Sequence, residues 1–142
     1  MTTAVESLNG LLRGEISAVE TYTQALQRLD EPAIAPTLQQ CKALHANRAE
    51  ALEKKIVELG GQPSNSSGPW GAFAKFMEGA ATALGDKPSI DILEEGEDHG
   101  LKAYRDELEK CDCSVTKSFI QSELLPGQEQ THEAMSTLKR TL

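Results

Sequence analysis

The sequence predicts an all-α four-helix bundle with up-down-down-up order, and three observations carry that prediction. Its composition favours helix: 39% of the 142 residues are hydrophobic, only six are aromatic, and Ala, Leu, Glu and Gln are abundant. Apolar residues recur at alternating three- and four-residue steps along four separate stretches. A 28-residue connection, positions 61–88, joins the second stretch to the third. That is far longer than a bundle loop needs, unless the chain crosses the full length of the bundle before starting again. The length suits one domain, 1–142, with a substantial core.

The first helix opens on Thr3 and Glu6, a capping box, and Val5, Leu8, Leu12, Val19, Tyr22, Leu26 and Leu29 mark its apolar face. The pattern predicts about 27 residues, roughly 40 Å, ended by Asp30-Glu31-Pro32. The second begins near Pro36, carries Leu38, Ala49, Leu52, Ile56 and Leu59, and stops at Gly60-Gly61. The short connection makes these two helices antiparallel neighbours. In the crossover, Trp70 to Leu84 forms a short amphipathic piece whose Trp70, Phe73, Phe76 and Met77 suit a lid on the bundle or a contact with a second subunit in a homodimer. Ser89 is placed to cap a third helix bearing Ile90, Leu93, Leu101, Tyr104 and Leu108. A turn at Cys111 to Ser114 precedes a fourth helix from about Val115 to the end, kinked near Pro126-Gly127.

The formal charge of −8 argues against sequence-independent binding to nucleic acid or to an anionic membrane. No stretch reads as a signal peptide or a bilayer span, so the expectation is a soluble cytoplasmic protein. Three cysteines then read as free thiols, with Cys111-Asp112-Cys113 either a soft metal pair or plain turn residues.

Carboxylates stand where these helices should bury apolar side chains. In Gly14-Glu15-Ile16-Ser17-Ala18-Val19-Glu20-Thr21-Tyr22 the glutamate precedes a tyrosine by seven residues, and Gly96-Glu97-Asp98-His99-Gly100-Leu101-Lys102-Ala103-Tyr104 repeats the outline. Seven residues are two helical turns, so each pair shares a face. Lys42 and His45 occupy the seam of the second helix, with His45 within about one turn of the level of Glu15. On the fourth, His132 lies at the edge of the apolar face and Glu129 further round. Ionised carboxylates buried alone cost several kcal/mol each, so such a cluster must share protons, form ion pairs or hold a metal.

The stretch from Leu8 to Tyr22 resembles the first helix of bacterioferritins, whose Glu-x6-Tyr pattern sets an iron-ligating glutamate where Glu15 stands. Over its whole length the chain more closely resembles the uncharacterised bacterial ferritin-like four-helix-bundle proteins. It shares their Leu-Gly-Gly-x-Pro end of the second helix, the Trp-Gly crossover and the Gly-Glu-x6-Tyr third helix. The resemblance implies a metal site built from Glu15, His45, Glu97, Glu129 and His132, holding one or two iron or manganese ions. The second helix departs from the pattern: Lys42 stands three residues before His45, where a bridging carboxylate belongs. Aligning that helix from its Gly-Gly-x-Pro end instead puts Arg48 at the histidine position.

Two functions therefore fit the sequence, and it does not decide whether the chain is an enzyme. One is a metal-binding bundle that, if redox-competent, would oxidise ferrous ion. The other is a non-catalytic helical interaction or stress-associated protein whose degenerate site is metal-free. Glu94 is expected near the acids on the core stripe, and His99 in solvent.

Overall fold

A computed structural model describes residues 3–68 and 85–142 of the chain. Helices α1 (Ala4–Leu26), α2 (Ala35–Glu58) and α3 (Asp86–Lys110) are followed by a fourth helix in three consecutive pieces. These are α4 (Ser114–Phe119), a π-helical turn (Ile120–Leu124) and α5 (Leu125–Thr141). The Trp70 to Leu84 piece lies outside the described residues.

Buried side chains give the directions. One apolar cluster joins Leu8 and Leu12 of α1 to Leu52 and Ile56 of α2, Tyr104 of α3, and Ile120 and Leu124. The other joins Tyr22 and Ala25 to Leu38, Ile90 and Met135. Early residues of α1 thus meet late residues of α2 and α3 and the start of the fourth helix. Accordingly α2 and α3 run parallel, and α1 is antiparallel to both, as the long crossover implies. Between the two clusters lies a layer of buried polar groups.

Local chemistry sets most of the ends. The Thr3 hydroxyl accepts from the Glu6 amide while the Thr3 amide donates to the Glu6 carboxylate, both at 3.1 Å. Gly60, at φ +82°, supplies the left-handed residue after α2. The Gly61 amide then donates to the Ile56 carbonyl and the Gly60 amide to that of Val57, each at 2.9 Å. Helix α1 stops at Leu26 and not near Asp30, because Gln27 and Arg28 donate to carbonyls three residues back and tighten the last turn. Leu29 still packs on the core from beyond the helix. The N-cap of α3 is Gly85 and not Ser89, whose hydroxyl donates back to the Gly85 carbonyl at 3.2 Å. Asp86 instead accepts the Asp30 and Glu31 amides at 2.8 and 2.9 Å, fastening the α1–α2 turn to the start of α3. The crossover leaves along α1, where Asn9 accepts from the Ser64 amide and donates to the Gln62 carbonyl, at 2.8 and 3.0 Å.

The fourth helix buries Thr116, Ile120, Leu124 and Gln128, three successive steps of four residues. An α-helix advances 3.6 residues per turn, so its stripe would drift by about one residue over that run. The wider π turn absorbs the drift. Pro126, which has no amide hydrogen to give and crowds the carbonyl four residues back, sits just past it.

A methyl group at Gly60 would be strained at this φ. Gly60→Ala is expected to destabilise the fold by about 1 kcal/mol in urea unfolding. An unchanged midpoint would show that α2 does not need this cap.

Candidate functional site: a buried charged layer

The four helices each send polar side chains into the middle layer. Glu15, His45, Arg48 and Glu97 are all at least 95% buried there, with Gln128 and Thr131 beside them. Arg48 is central. Its Nε donates to Glu15 Oε2 at 2.9 Å, and its Nη2 donates to Gln128 Oε1 at 3.0 Å and to Thr131 Oγ1 at 3.3 Å. Nη2 also stands 2.8 Å from His45 Nδ1. A Cβ at position 127 would lie 2.9 Å from Arg48 Nη1, and one at position 100 would lie 2.7 Å from Gln128 Nε2. Glycine at these two places makes room for the network.

Glu97 accepts four hydrogen bonds. Gln128 Nε2 and Thr131 Oγ1 donate to Oε1 at 2.9 and 2.8 Å, while Tyr22 Oη and His45 Nε2 donate to Oε2 at 2.5 and 2.7 Å. An ionised carboxylate offers about four lone-pair directions, and protein donors take them all. Burial works against the ionised form of Glu97. The His45 charge and these donors outweigh it and hold the carboxyl below its ordinary value.

The repeated Glu-x6-Tyr outline becomes a cross-pairing. Helices α1 and α3 are antiparallel, so each tyrosine is carried towards the other copy's glutamate. Tyr22 reaches Glu97, and burial followed by that charge raises its phenol pKa well above the usual value. Tyr104 lies on the Glu15 side, and its pKa is raised well above normal by burial and then by Glu15. Its hydroxyl has no partner at hydrogen-bonding distance among the described residues.

Burial would lower the His45 pKa, but Glu15 and Glu97 on either side of the ring raise it to about 9. Its Nδ1 has two neighbours: Arg48 Nη2 at 2.8 Å, and both Glu15 oxygens at 3.3 Å. The neutral ring accepts from Nη2. The imidazolium turns Nδ1–H to Glu15, leaving Nη2 to Gln128 and Thr131. With His45 protonated, two cations face two anions and the layer is electrically balanced.

Of the five residues expected to converge, Glu15, His45 and Glu97 do so. Glu129 is exposed and lies 3.9 Å from Arg105, and His132 is half-buried on the flank, 2.5 Å from Asp98. Lys42, expected on the seam, is only half-buried and appears in none of these contacts; Arg48 supplies the cation instead. His99 is exposed, as expected. Arg48, Gln128 and Thr131 were not selected as site residues from the sequence. For Gln128 and Thr131 the signal was the stripe itself, since 120, 124, 128, 131, 135 and 138 continue the three- and four-residue steps and positions 129 and 132 do not. Cys111 and Cys113 lie between α3 and α4, where the Cys111 thiol donates to the Cys113 carbonyl at 3.5 Å. Among the described residues, the one group of three His, Cys, Asp or Glu side chains close enough to share an ion is Glu94, Asp98 and His132.

This architecture is that of a ferritin-like four-helix bundle. At TM-score 0.77 and 12% identity, it is similar to a conserved hypothetical protein from Mycobacterium tuberculosis, over 100% of this chain and 99% of that one. At TM-score 0.76 and 18% identity, it is similar to a ferritin-like, diiron-carboxylate protein from Bacillus anthracis str. Ames, over 98% and 99%. No curated protein matches the chain. The sequence model described as "Domain of unknown function (DUF2383)" matches residues 3–110, and the chain belongs to that family. No helix among the described residues is long and apolar enough to cross a membrane.

Two measurements test the layer. The raised His45 pKa contributes stability that is complete below its unfolded value of about 6.5 and is lost as pH rises through about 9. The lowered Glu97 pKa contributes stability that is present above its unfolded value of about 4.3 and is lost as pH falls through the folded value. Urea unfolding from acid to alkaline pH should therefore decline at both ends, and His45→Gln should flatten the alkaline limb. Arg48→Met is expected to cost about 3–5 kcal/mol near neutral pH, with Glu15→Gln in the same chain restoring part of it. A loss below about 1 kcal/mol would remove Arg48 from its central place.

Proposed function

We propose that the chain is a non-catalytic, ferritin-like helical interaction protein whose centre is held by its own charges in place of metal ions. The observation that carries this reading is the Arg48 guanidinium, 2.9 Å from Glu15 and 2.8 Å from His45. It brings a fixed positive charge to the place where a cation would be bound. The donor set agrees with it. Glu97 has no lone pair free of a protein donor, and the inward positions of the fourth helix are the neutral Gln128 and Thr131. These residues do not fit a dinuclear carboxylate centre, which needs several anionic oxygens open to each ion. The apolar side chains Val57 and Leu59 at the end of α2 and Val115 at the start of α4 are exposed and available for contact with another protein.

A second reading, metal binding in this layer, draws on the convergence of Glu15, His45 and Glu97 and on the diiron-carboxylate description of the Bacillus anthracis protein. Metal analysis of His132→Gln protein purified without chelator separates the two, because that background removes the flanking histidine. No stoichiometric iron or manganese is expected. Iron or manganese bound at one or more ions per chain, and lost on Glu15→Gln, would overturn the proposal in favour of the second reading.

A further inference from the structure

Outside the central layer, α3 and α5 bring three ligating side chains to one point on the flank. Glu94 and Asp98 are one helical turn apart on α3, and His132 faces them from α5. One oxygen of each carboxylate and a ring nitrogen of His132 all lie within 4.8 Å of one another. Ligand bonds of about 2.0–2.2 Å set neighbouring ligand atoms of a bound zinc roughly 3–4 Å apart, so small side-chain movements complete the set. The contact between His132 Nε2 and Asp98 Oδ1, at 2.5 Å, must open for both atoms to reach one ion.

The same place already attracts a cation. The Lys139 ammonium, on an arm that is 47% exposed, lies 3.3 Å from Glu94 Oε1 and 4.0 Å from Asp91 Oδ1. That Asp91 oxygen is buried and makes no hydrogen bond, so the lysine leaves it unsatisfied. Three carboxylates, Asp91, Glu94 and Asp98, therefore act on one tethered monovalent charge.

We propose that Glu94, Asp98 and His132 form a site for a divalent transition-metal cation on the α3–α5 flank, and that the cation displaces the Lys139 ammonium. One imidazole nitrogen with two carboxylate oxygens suits zinc or manganese better than magnesium or calcium, which prefer all-oxygen shells. Solvent reaches the site, so water completes the coordination. Binding requires an unprotonated His132 nitrogen, and affinity falls on acidification.

Isothermal titration of the whole chain with zinc chloride near pH 7.5 tests this. One zinc per chain is expected, weakened at least tenfold by His132→Gln or Asp98→Asn and strengthened by Lys139→Met. Magnesium should not compete. These side chains are at least partly exposed, so circular dichroism of each variant should match the parent chain. Cys111→Ser/Cys113→Ser is the control for thiolate binding and should leave the affinity unchanged. The proposal is overturned if zinc does not bind, if His132→Gln binds as well as the parent chain, or if only the cysteine variant loses the metal. None of these outcomes bears on iron or manganese in the central layer, which the His132→Gln background tests separately.

Discussion

Two glutamates buried from solvent in the middle of a small bundle are the constraint on which the rest of the structure depends. Glu15 and Glu97 are each about 97% buried or more, at the level where four helices meet. Their ionised forms persist only with compensating charge and donors at contact distance. Arg48 and His45 supply the charge, and Tyr22, Gln128 and Thr131 supply further donors. Helix register follows from this requirement. The fourth helix must present Gln128 and Thr131 inward, which the π turn at Ile120–Leu124 permits, and Gly100 and Gly127 must lack side chains for the network to close.

The layer shows what an internal repeat becomes once its two halves diverge. Glu15 with Tyr22 and Glu97 with Tyr104 are related by sequence, and antiparallel packing aims each tyrosine at the opposite acid. A symmetrical layer would have two equivalent tyrosine–glutamate bonds. The two halves are not equivalent: Tyr22 bonds to Glu97, Arg48 binds Glu15, and the Tyr104 hydroxyl has no hydrogen-bond partner among the described residues. His45, touching both acids, is the remaining element shared by the two halves.

Much of the fold was legible because it depends on periodic features. Apolar stripes and the length of the crossover fix the helices and their directions, and the Thr3 and Gly60 caps fix two of the ends. The acids were legible for the same reason, since Glu15 and Glu97 interrupt stripes that are otherwise apolar. Partner choice was harder to read, because residues one position apart on a helix differ by about 100° in direction. Glu129 with His132 against Gln128 with Thr131 is a choice of that kind. The family resemblance favoured the metal-ligand motif, whereas the three- and four-residue steps favoured the neutral pair. The steps were the better guide because packing, and not ancestry, decides which face a helix buries.

The chain meets the charge of its carboxylates with its own cations in two places, and the physical settings differ. Arg48 is 95% buried and shared among Glu15, Gln128 and Thr131. Removing it would strand an anion in a medium of low polarity, so an external ion would have to repay that loss before gaining anything. Lys139 is half exposed and held at 3.3 to 4.0 Å, where solvent screens the pairs and leaves them weak. A divalent ion carries twice the charge and can bond directly to ligand atoms that the ammonium reaches only loosely. Exchange with the surroundings is therefore feasible at the flank and opposed at the centre. The interior cation acts as part of the fold, and the exposed one as a replaceable occupant.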